Sequence, residues 1–496
     1  MSEITVSPPD LLRVAADAER TGEFARAHDL LLQVAGSPSS GSQDLLQAGE
    51  AQMRLKRPRL AIEAVTRAIQ ISPEDSQLHL RRGQFLGQIG QHRAALGNIA
   101  RAAELEPRRF DVMLAYGAAL SACNELPASL MAFQAARKLN PNHPGVLSNC
   151  GWLLVQLQRF DEALAVLDRA LDIAPGHAGA RWNRSLCLLT MGRFEEGFAD
   201  YEARMTINDA RYERLRKYDA PLWRKGESIA GQRIFLYTDQ GHGDTIQFIR
   251  LARLLMRMDA QVVAEVQAPL VELCRTFHPE LRVIAQGEMP PPFDVFCPLP
   301  SLMHRLDLSV DNVPSRIPYL SADASLATQW RERLAPLGGR MKVGITWAGN
   351  PNHFNDQNRS IALQRLLPVL ETPKVSFVSL QKELRAGDGE ILRGVSAFDP
   401  AAELITFADT AALVSQLDLV ISVDTSVALG QLRRQGFAIS VILVALTDDD
   451  KPVAHGRLLA EGIRDVRHIQ SEDDLLSLGE RHAAGPSTYN VAVTLA

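Results

Sequence analysis

The sequence predicts two architectures in series: an all-α superhelix of stacked helical hairpins, then a pair of parallel α/β halves. Three observations predict it. Prolines recur at Pro73, Pro107, Pro141 and Pro175, each 34 residues after the last, and small residues keep the same step. Near residue 212 that ladder stops, and apolar runs of strand length begin to alternate with helical stretches. Two of those runs end in polar, glycine-bearing loops, one in each half.

The ladder has several rungs. Glycine returns at Gly49, Gly83, Gly117 and Gly151, and alanine at Ala68, Ala102, Ala136 and Ala170. A second alanine series runs Ala61, Ala95 and Ala163, with Ser129 in the missing slot, and large apolar residues occupy Val65, Ile99, Phe133 and Leu167. A step of 34 with small residues in fixed registers and a closing proline identifies tetratricopeptide repeats. One hairpin cannot bury its apolar stripe alone, so neighbours stack. The glycines belong to each first helix and the alanines to each second, where small side chains let backbones approach. Proline ends the second helix because it has no N–H to continue the ladder. Ala15, Ala27 and Val34 extend the register backwards to a weaker repeat from about residue 8, and Trp182, Ser185, Gly197 and Asp209 extend it forwards to a degenerate sixth. Repeats of this kind suit a protein or peptide in their groove.

Composition narrows the partners. The 496 residues carry 53 basic and 58 acidic side chains without a basic block, which argues against nucleic acid or an anionic membrane surface. Five cysteines without a CxxC pair argue against a zinc site or a disulfide framework and fit a reducing compartment. No stretch is long and apolar enough for a membrane span, and the polar start MSEITVSPPD does not read as a signal peptide. The expected location is cytoplasmic.

Four segments follow from this pattern: repeats over residues 8–211, a connector over 212–230, a first α/β half over 231–335 and a second over 336–496. The connector region RYERLRKYDAPLWR is polar and aromatic. Strands are expected at Arg233–Thr238, Val262–Gln267, Arg282–Ala285 and Phe293–Cys297, then at Lys342–Trp347, Val375–Leu380, Leu419–Val423 and Ile439–Val444. Short buried strands alternating with helices read as parallel sheets, here two Rossmann-like halves facing a cleft, with ligands at the carboxyl ends of the strands.

The first loop reads Asp239-Gln240-Gly241-His242-Gly243-Asp244-Thr245 ahead of the helical stretch IQFIRLARLL. Glycines allow a sharp turn, and free N–H groups at a helix start attract anions. It is neither a Walker loop nor GxGxxG. Asp244 reads as a helix cap or as an acid–base residue, and His242 as a loop residue. The second loop runs from Ala348-Gly349-Asn350-Pro351 to Arg359-Ser360, just before an expected helix. Arginine beside helix-terminal N–H groups suits a diphosphate, and a solvated loop with a serine cap is the alternative. Asp424, Thr425 and Ser426 follow a buried strand directly, as a ligand site or as caps of the next helix.

Together these segments resemble the heptosyltransferase-like glycosyltransferase domain of the GT-B fold found in bacterial tetratricopeptide proteins. The resemblance rests on Gln240 to Phe248, on Trp347-Ala348-Gly349-Asn350-Pro351 with Arg359-Ser360, on Ser379-Leu380-Gln381, and on Asp409-Thr410-Ala411 leading to Val423-Asp424-Thr425-Ser426-Val427-Ala428. It covers roughly 200 residues. It implies that Asp244 is the base deprotonating an acceptor hydroxyl, with Gly241, His242, Gly243 and Gln247 on the acceptor side. It implies a nucleotide-sugar donor in the second half. There Arg359 and Ser360 hold the diphosphate, Asn350, Thr425 and Ser426 add contacts, and Asp424 meets the sugar. The implied reaction is inverting and metal-independent, with no cofactor beyond the nucleotide-sugar substrate. O-GlcNAc transferase shares the repeat-plus-transferase plan more distantly.

After Val427-Ala428 the chain departs from that pattern. A histidine and a tryptophan-rich segment are expected; the sequence instead reads Leu429 to Phe437 without histidine, and no tryptophan follows Trp347. A shifted reading frame near Ala428 and genuine divergence are the two explanations, and the coding DNA separates them. Two functional classes therefore stand side by side. One is a glycosyltransferase whose acceptor sits in the repeat groove. The other is a tetratricopeptide interaction scaffold with a catalytically degenerate transferase domain.

Overall fold

The computed structural model describes residues 6–207, 218–309, 311–314, 319–351, 353, 356 and 360–423. Beyond these it gives the strand backbones of 433–434, 437–438, 440–446, 463–468 and 490–495. The chain divides into two compact units, Met1–Cys187 and Leu188–Ala496.

Helices pair as α1 (Pro8–Arg20) with α2 (Phe24–Gly36), α3 (Ser42–Arg54) with α4 (Pro58–Ile71), and α5 (Ser76–Gln88) with α6 (His92–Leu105). They continue as α7 (Phe110–Ala122) with α8 (Leu126–Leu139) and α9 (Pro144–Gln156) with α10 (Phe160–Ile173); α11 (Ala178–Thr190) and α12 (Phe194–Tyr201) follow in the chain. The step of 34 survives in the starts of both helix sets, and each ladder proline stands two residues beyond its second helix. The glycine and large-apolar columns are partners. A Cβ on Gly83 would lie 2.4 Å from Ile99 Cγ1, and one on Gly151 would lie 2.4 Å from Leu167 Cγ. Gly49 meets Val65 and Gly117 meets Phe133, each at 2.8 Å. At these four positions any larger residue would push the second helix away; Ala15 and Ser185 hold the same register in the end repeats. Ser129 fits its alanine slot because its buried hydroxyl donates to the Gly117 carbonyl at 2.7 Å.

A further column joins the two helices of each hairpin. Gly22, Lys56, Gly90, Asn124, Gln158 and Gly192 all have positive φ, between 57° and 81°, again at a step of 34. This left-handed residue reverses the chain in every repeat.

In the second unit, β1 (Arg233–Tyr237), α13 (His242–Ile249), α14 (Ala252–Arg257), β2 (Gln261–Val266), α15 (Val271–Arg275), β3 (Arg282–Ala285), β4 (Val295–Pro298) and α16 (Leu302–Arg305) come first. Then follow α17 (Ala324–Leu334), β5 (Met341–Thr346), α18 (Leu367–Leu370), β6 (Val375–Ser379), α19 (Asp388–Gly394), α20 (Phe407–Val414) and β7 (Leu419–Ser422). The last strands are β8 (Arg433–Arg434), β9 (Phe437–Ala438), β10 (Ser440–Leu446), β11 (Ile463–His468) and β12 (Asn490–Leu495). All eight expected strands form, with ends within two residues of expectation. β8, β9, β11 and β12 lie outside the expected set.

One parallel sheet has the order β3-β2-β1-β4 and the other β11-β12-β10-β7-β5-β6. The chain reverses its winding between β1 and β4 in the first sheet and between β5 and β7 in the second. Such reversals open a crevice at the carboxyl ends of the strands. Alternate residues of β1 serve different cores: Ile234 and Leu236 enter one, Phe235 and Tyr237 an aromatic cluster on the opposite face. The first core also takes in Val378, Leu380 and Val420, so it runs continuously from the first sheet onto one face of the second. Phe198 of α12 joins it too, with its ring edge-on to Phe248 at 6.2 Å.

Candidate functional site

Both loops singled out in the sequence leave a strand at a reversal point: the first follows β1, the second β5. In the first, the helix begins earlier than the sequence suggested. α13 starts at His242 with Gly241 as its N-cap, so Asp244 lies in the first turn rather than ahead of it. The Asp244 carboxylate accepts the Gly241 N–H at 3.1 Å, the N3 half of a capping box whose other half a glycine cannot supply. That satisfies one backbone donor that the helix leaves open. His242 is thus the first helical residue, not a loop residue, and its ring lies 5.3 Å from that of Phe407 at the start of α20. Burial holds the His242 imidazole below its ordinary 6.5. Gly243 and Gln247 lie half-buried on the same helix, and Gly241 is exposed. Gln267, just after β2, fastens the loop: its amide donates to the Gln240 carbonyl at 2.9 Å and its oxygen accepts the Thr245 hydroxyl at 2.9 Å.

The second loop is tied down differently from its expectation. The Ser360 hydroxyl donates to Asp356 at 2.6 Å and accepts from the Gly349 N–H at 3.0 Å and from Arg385 Nη2 at 3.1 Å. Ser360 does not cap an α-helix. Its own N–H donates to the Asp356 carbonyl, Ile361 N–H donates to the Trp347 carbonyl, and the next helical turn is a 3₁₀ turn at Leu363–Leu366. No row of helix-terminal N–H groups therefore stands behind Ser360. Asn350 is exposed. Arg359, Asp424, Thr425 and Ser426 lie outside the described residues. The β6–α19 loop clamps this region: Gln381 accepts the Ala348 N–H at 3.1 Å, and Asp388 accepts the Trp347 indole N–H at 2.9 Å. Asp409, quoted in the resemblance, closes a capping box with Thr406 at the start of α20.

Sequence reasoning missed two clusters. The first lies at the reversal point of the first sheet. Arg204, on a 3₁₀ turn after α12, is fully buried; it donates to Asp239 at 2.8 Å and to the Ser301 hydroxyl at 2.7 Å. Glu202 accepts from Arg204 at 3.0 Å and from Ser301 at 2.6 Å, and pairs with Arg305 at 2.6 Å. Burial alone would lower the Arg204 guanidinium, but Asp239 and Glu202 outweigh it and keep it charged. Asp239 Oδ1 and the Tyr237 hydroxyl are buried without partners among the described residues. The chain's own arginine thus joins the segments that follow β1 and β4. No short-range signal marks it, because Arg204 is 35 residues from Asp239 and 97 from Ser301. The second missed residue is Arg385, which meets Asp356 and Ser360 from the β6–α19 loop. Among the described residues, no group of His, Cys, Asp and Glu side chains could hold a metal ion, and no helix is long and apolar enough to cross a membrane.

Comparison with known proteins bears on the repeats. A family model described as a tetratricopeptide repeat matches residues 150–221. Protein FlbA of Caulobacter vibrioides is 24% identical over 221 residues, 40% of this chain, and the match spans only 37% of that relative. Among solved structures, YrrB, titled a TPR protein with an unusual peptide-binding site, is 24% identical at a TM-score of 0.31, over 34% of this chain and 88% of its own. MamA from AMB-1 is 21% identical at a TM-score of 0.30, over 34% of this chain and 92% of its own. The tetratricopeptide model thus matches part of the helical hairpins, and a region of parallel sheets follows them in the chain.

Proposed function

We propose that the repeats recruit a protein or peptide and that the α/β part is a GT-B-type glycosyltransferase, moving a sugar from a nucleotide-sugar donor onto that acceptor. The observation that carries the reading is positional. Both loops of the heptosyltransferase-like motif set leave the strand at which a parallel sheet reverses its winding, where such sheets take ligands. Arg204 already pairs with Asp239 after β1, which favours the second sheet for the nucleotide. In this reading Asp244 accepts the proton of the acceptor hydroxyl as its oxygen attacks the anomeric carbon. The bond to the nucleoside diphosphate then breaks. Arg359 and Ser360 stabilise the departing diphosphate, Asn350, Thr425 and Ser426 add contacts, and Asp424 orients the sugar. Gly241, His242, Gly243 and Gln247 form the acceptor side.

The departure after Ala428 favours a second reading, a peptide-binding scaffold with a degenerate transferase domain. Thermal-shift titration with UDP-, GDP- and ADP-sugars separates the two. A rise in melting temperature with one of them, lost in Arg359→Ala, is expected for the transferase. A melting temperature unmoved by all three leaves the scaffold.

A further inference from the structure

We infer that Arg385 and Ser360 form a phosphate subsite at the carboxyl end of β5, which the Asp356 carboxylate occupies. Two donors from different segments converge on one carboxylate: the Ser360 hydroxyl on Oδ1 at 2.6 Å, and Arg385 Nη2 on Oδ2. Two oxygens of one carboxylate bound by separate donors reproduce the way two oxygens of a phosphate are held. Arg385 spends a single nitrogen on these contacts. Its Nε and Nη1 have no partner among the described residues, and its side chain is 39% exposed against 13% for Asp356. With Nε and Nη1 open, the guanidinium can hold a phosphate by more than one nitrogen once the Asp356 carboxylate gives way. Lys382, the other cation of this loop, is engaged with the Ala401 and Leu404 carbonyls. Arg385 itself is fixed from behind, since its backbone N–H donates to the buried Asp388 at 2.9 Å.

The identity of the anion, a nucleoside diphosphate, rests on the reading above; the subsite does not. An Asp356 that competes with phosphate gives opposite signs for its removal and for removal of the arginine. Isothermal titration of the full chain with inorganic pyrophosphate is the test. Arg385→Ala should weaken binding at least tenfold, Arg385→Lys should keep part of it, and Asp356→Asn should strengthen it several-fold. Each variant's melting curve verifies that it folds, and Arg385→Lys serves where Arg385→Ala does not. If Asp356→Asn weakens binding as much as Arg385→Ala, the pair is only a loop fastener and the subsite is wrong. Wild-type protein that ignores pyrophosphate also overturns it, whether or not a nucleotide sugar binds. Pyrophosphate binding with the expected signs, joined to indifference to every nucleotide sugar, keeps the subsite and removes the transferase reading instead.

Discussion

Single residues decide how closely the paired helices of the repeats approach. Gly151 faces Leu167 so tightly that an added methyl would meet the branch carbon of the leucine, not a flexible tip. Gly151→Ala should therefore cost about 1–3 kcal/mol as the helices part. In a Leu167→Ala background, where the clashing Cγ is gone, Gly151→Ala should cost clearly less. An equal fall in the urea midpoint in both backgrounds would mean the two columns are not partners. The opposite sign is expected in the hairpin turns. Gln158 holds φ at 58°, a conformation that strains a side chain and that Gly22, Gly90 and Gly192 adopt freely. Gln158→Gly should raise stability by about 1 kcal/mol in the same assay, and a loss would show that Gln158 is held by something besides its backbone. This column escaped the sequence reading because four residue types share it, whereas the proline and glycine columns are spelled in one letter.

At the level of elements, the first candidate loop is a helix start, and its two notable residues do separable things. Asp244→Asn keeps an oxygen for the Gly241 N–H, so stability should change by less than about 1 kcal/mol. Asparagine cannot take a proton, so any transferase activity should vanish; activity that persists in Asp244→Asn removes it as the base. His242 makes the fold pH-sensitive. Its folded pKa lies below the ordinary 6.5, so under acid conditions the unfolded chain binds a proton that the folded one refuses. Stability should fall as pH drops below 6.5 and level off once the folded pKa is passed. His304, also lowered by burial, adds in the same direction. Comparing urea midpoints at about pH 5.5 and 7.5 should show a smaller drop in His242→Gln than in the parent. An equal drop in the two assigns the effect elsewhere. Strand positions were legible because a parallel strand buried on both faces is a continuous apolar run, as in Ile234 to Tyr237. The start of α13 was misread because its cap is a glycine and the carboxylate that accepts the cap N–H sits three residues inside. The expected helix behind Ser360 failed for a related reason: the backbone N–H groups there are claimed by Asp356 and Trp347.

For the whole molecule, the last repeat helix belongs energetically to the sheets. Phe198 of α12 is part of the core that spans both sheets, and the turn after α12 delivers Arg204 to Asp239. None of this could be read from spacing, since the repeat register describes α12 as one more rung and the arginine's partners are remote in sequence. A buried arginine held by two carboxylates is costly to remove, because the acids lose their counter-charge in place. Arg204→Met should lower the stability of the second unit by about 3–5 kcal/mol. Gly151→Ala acts inside the first unit, so the two substitutions should shift different unfolding transitions. Tryptophan reports them separately: Trp152 and Trp182 lie in the first unit, Trp223, Trp330 and Trp347 in the second. With Trp152 and Trp182 replaced by phenylalanine, the remaining fluorescence follows the second unit alone. In that background Arg204→Met should move the transition and Gly151→Ala should leave it in place. If both move it equally, the chain unfolds as one cooperative body and the division at Cys187 has no thermodynamic meaning.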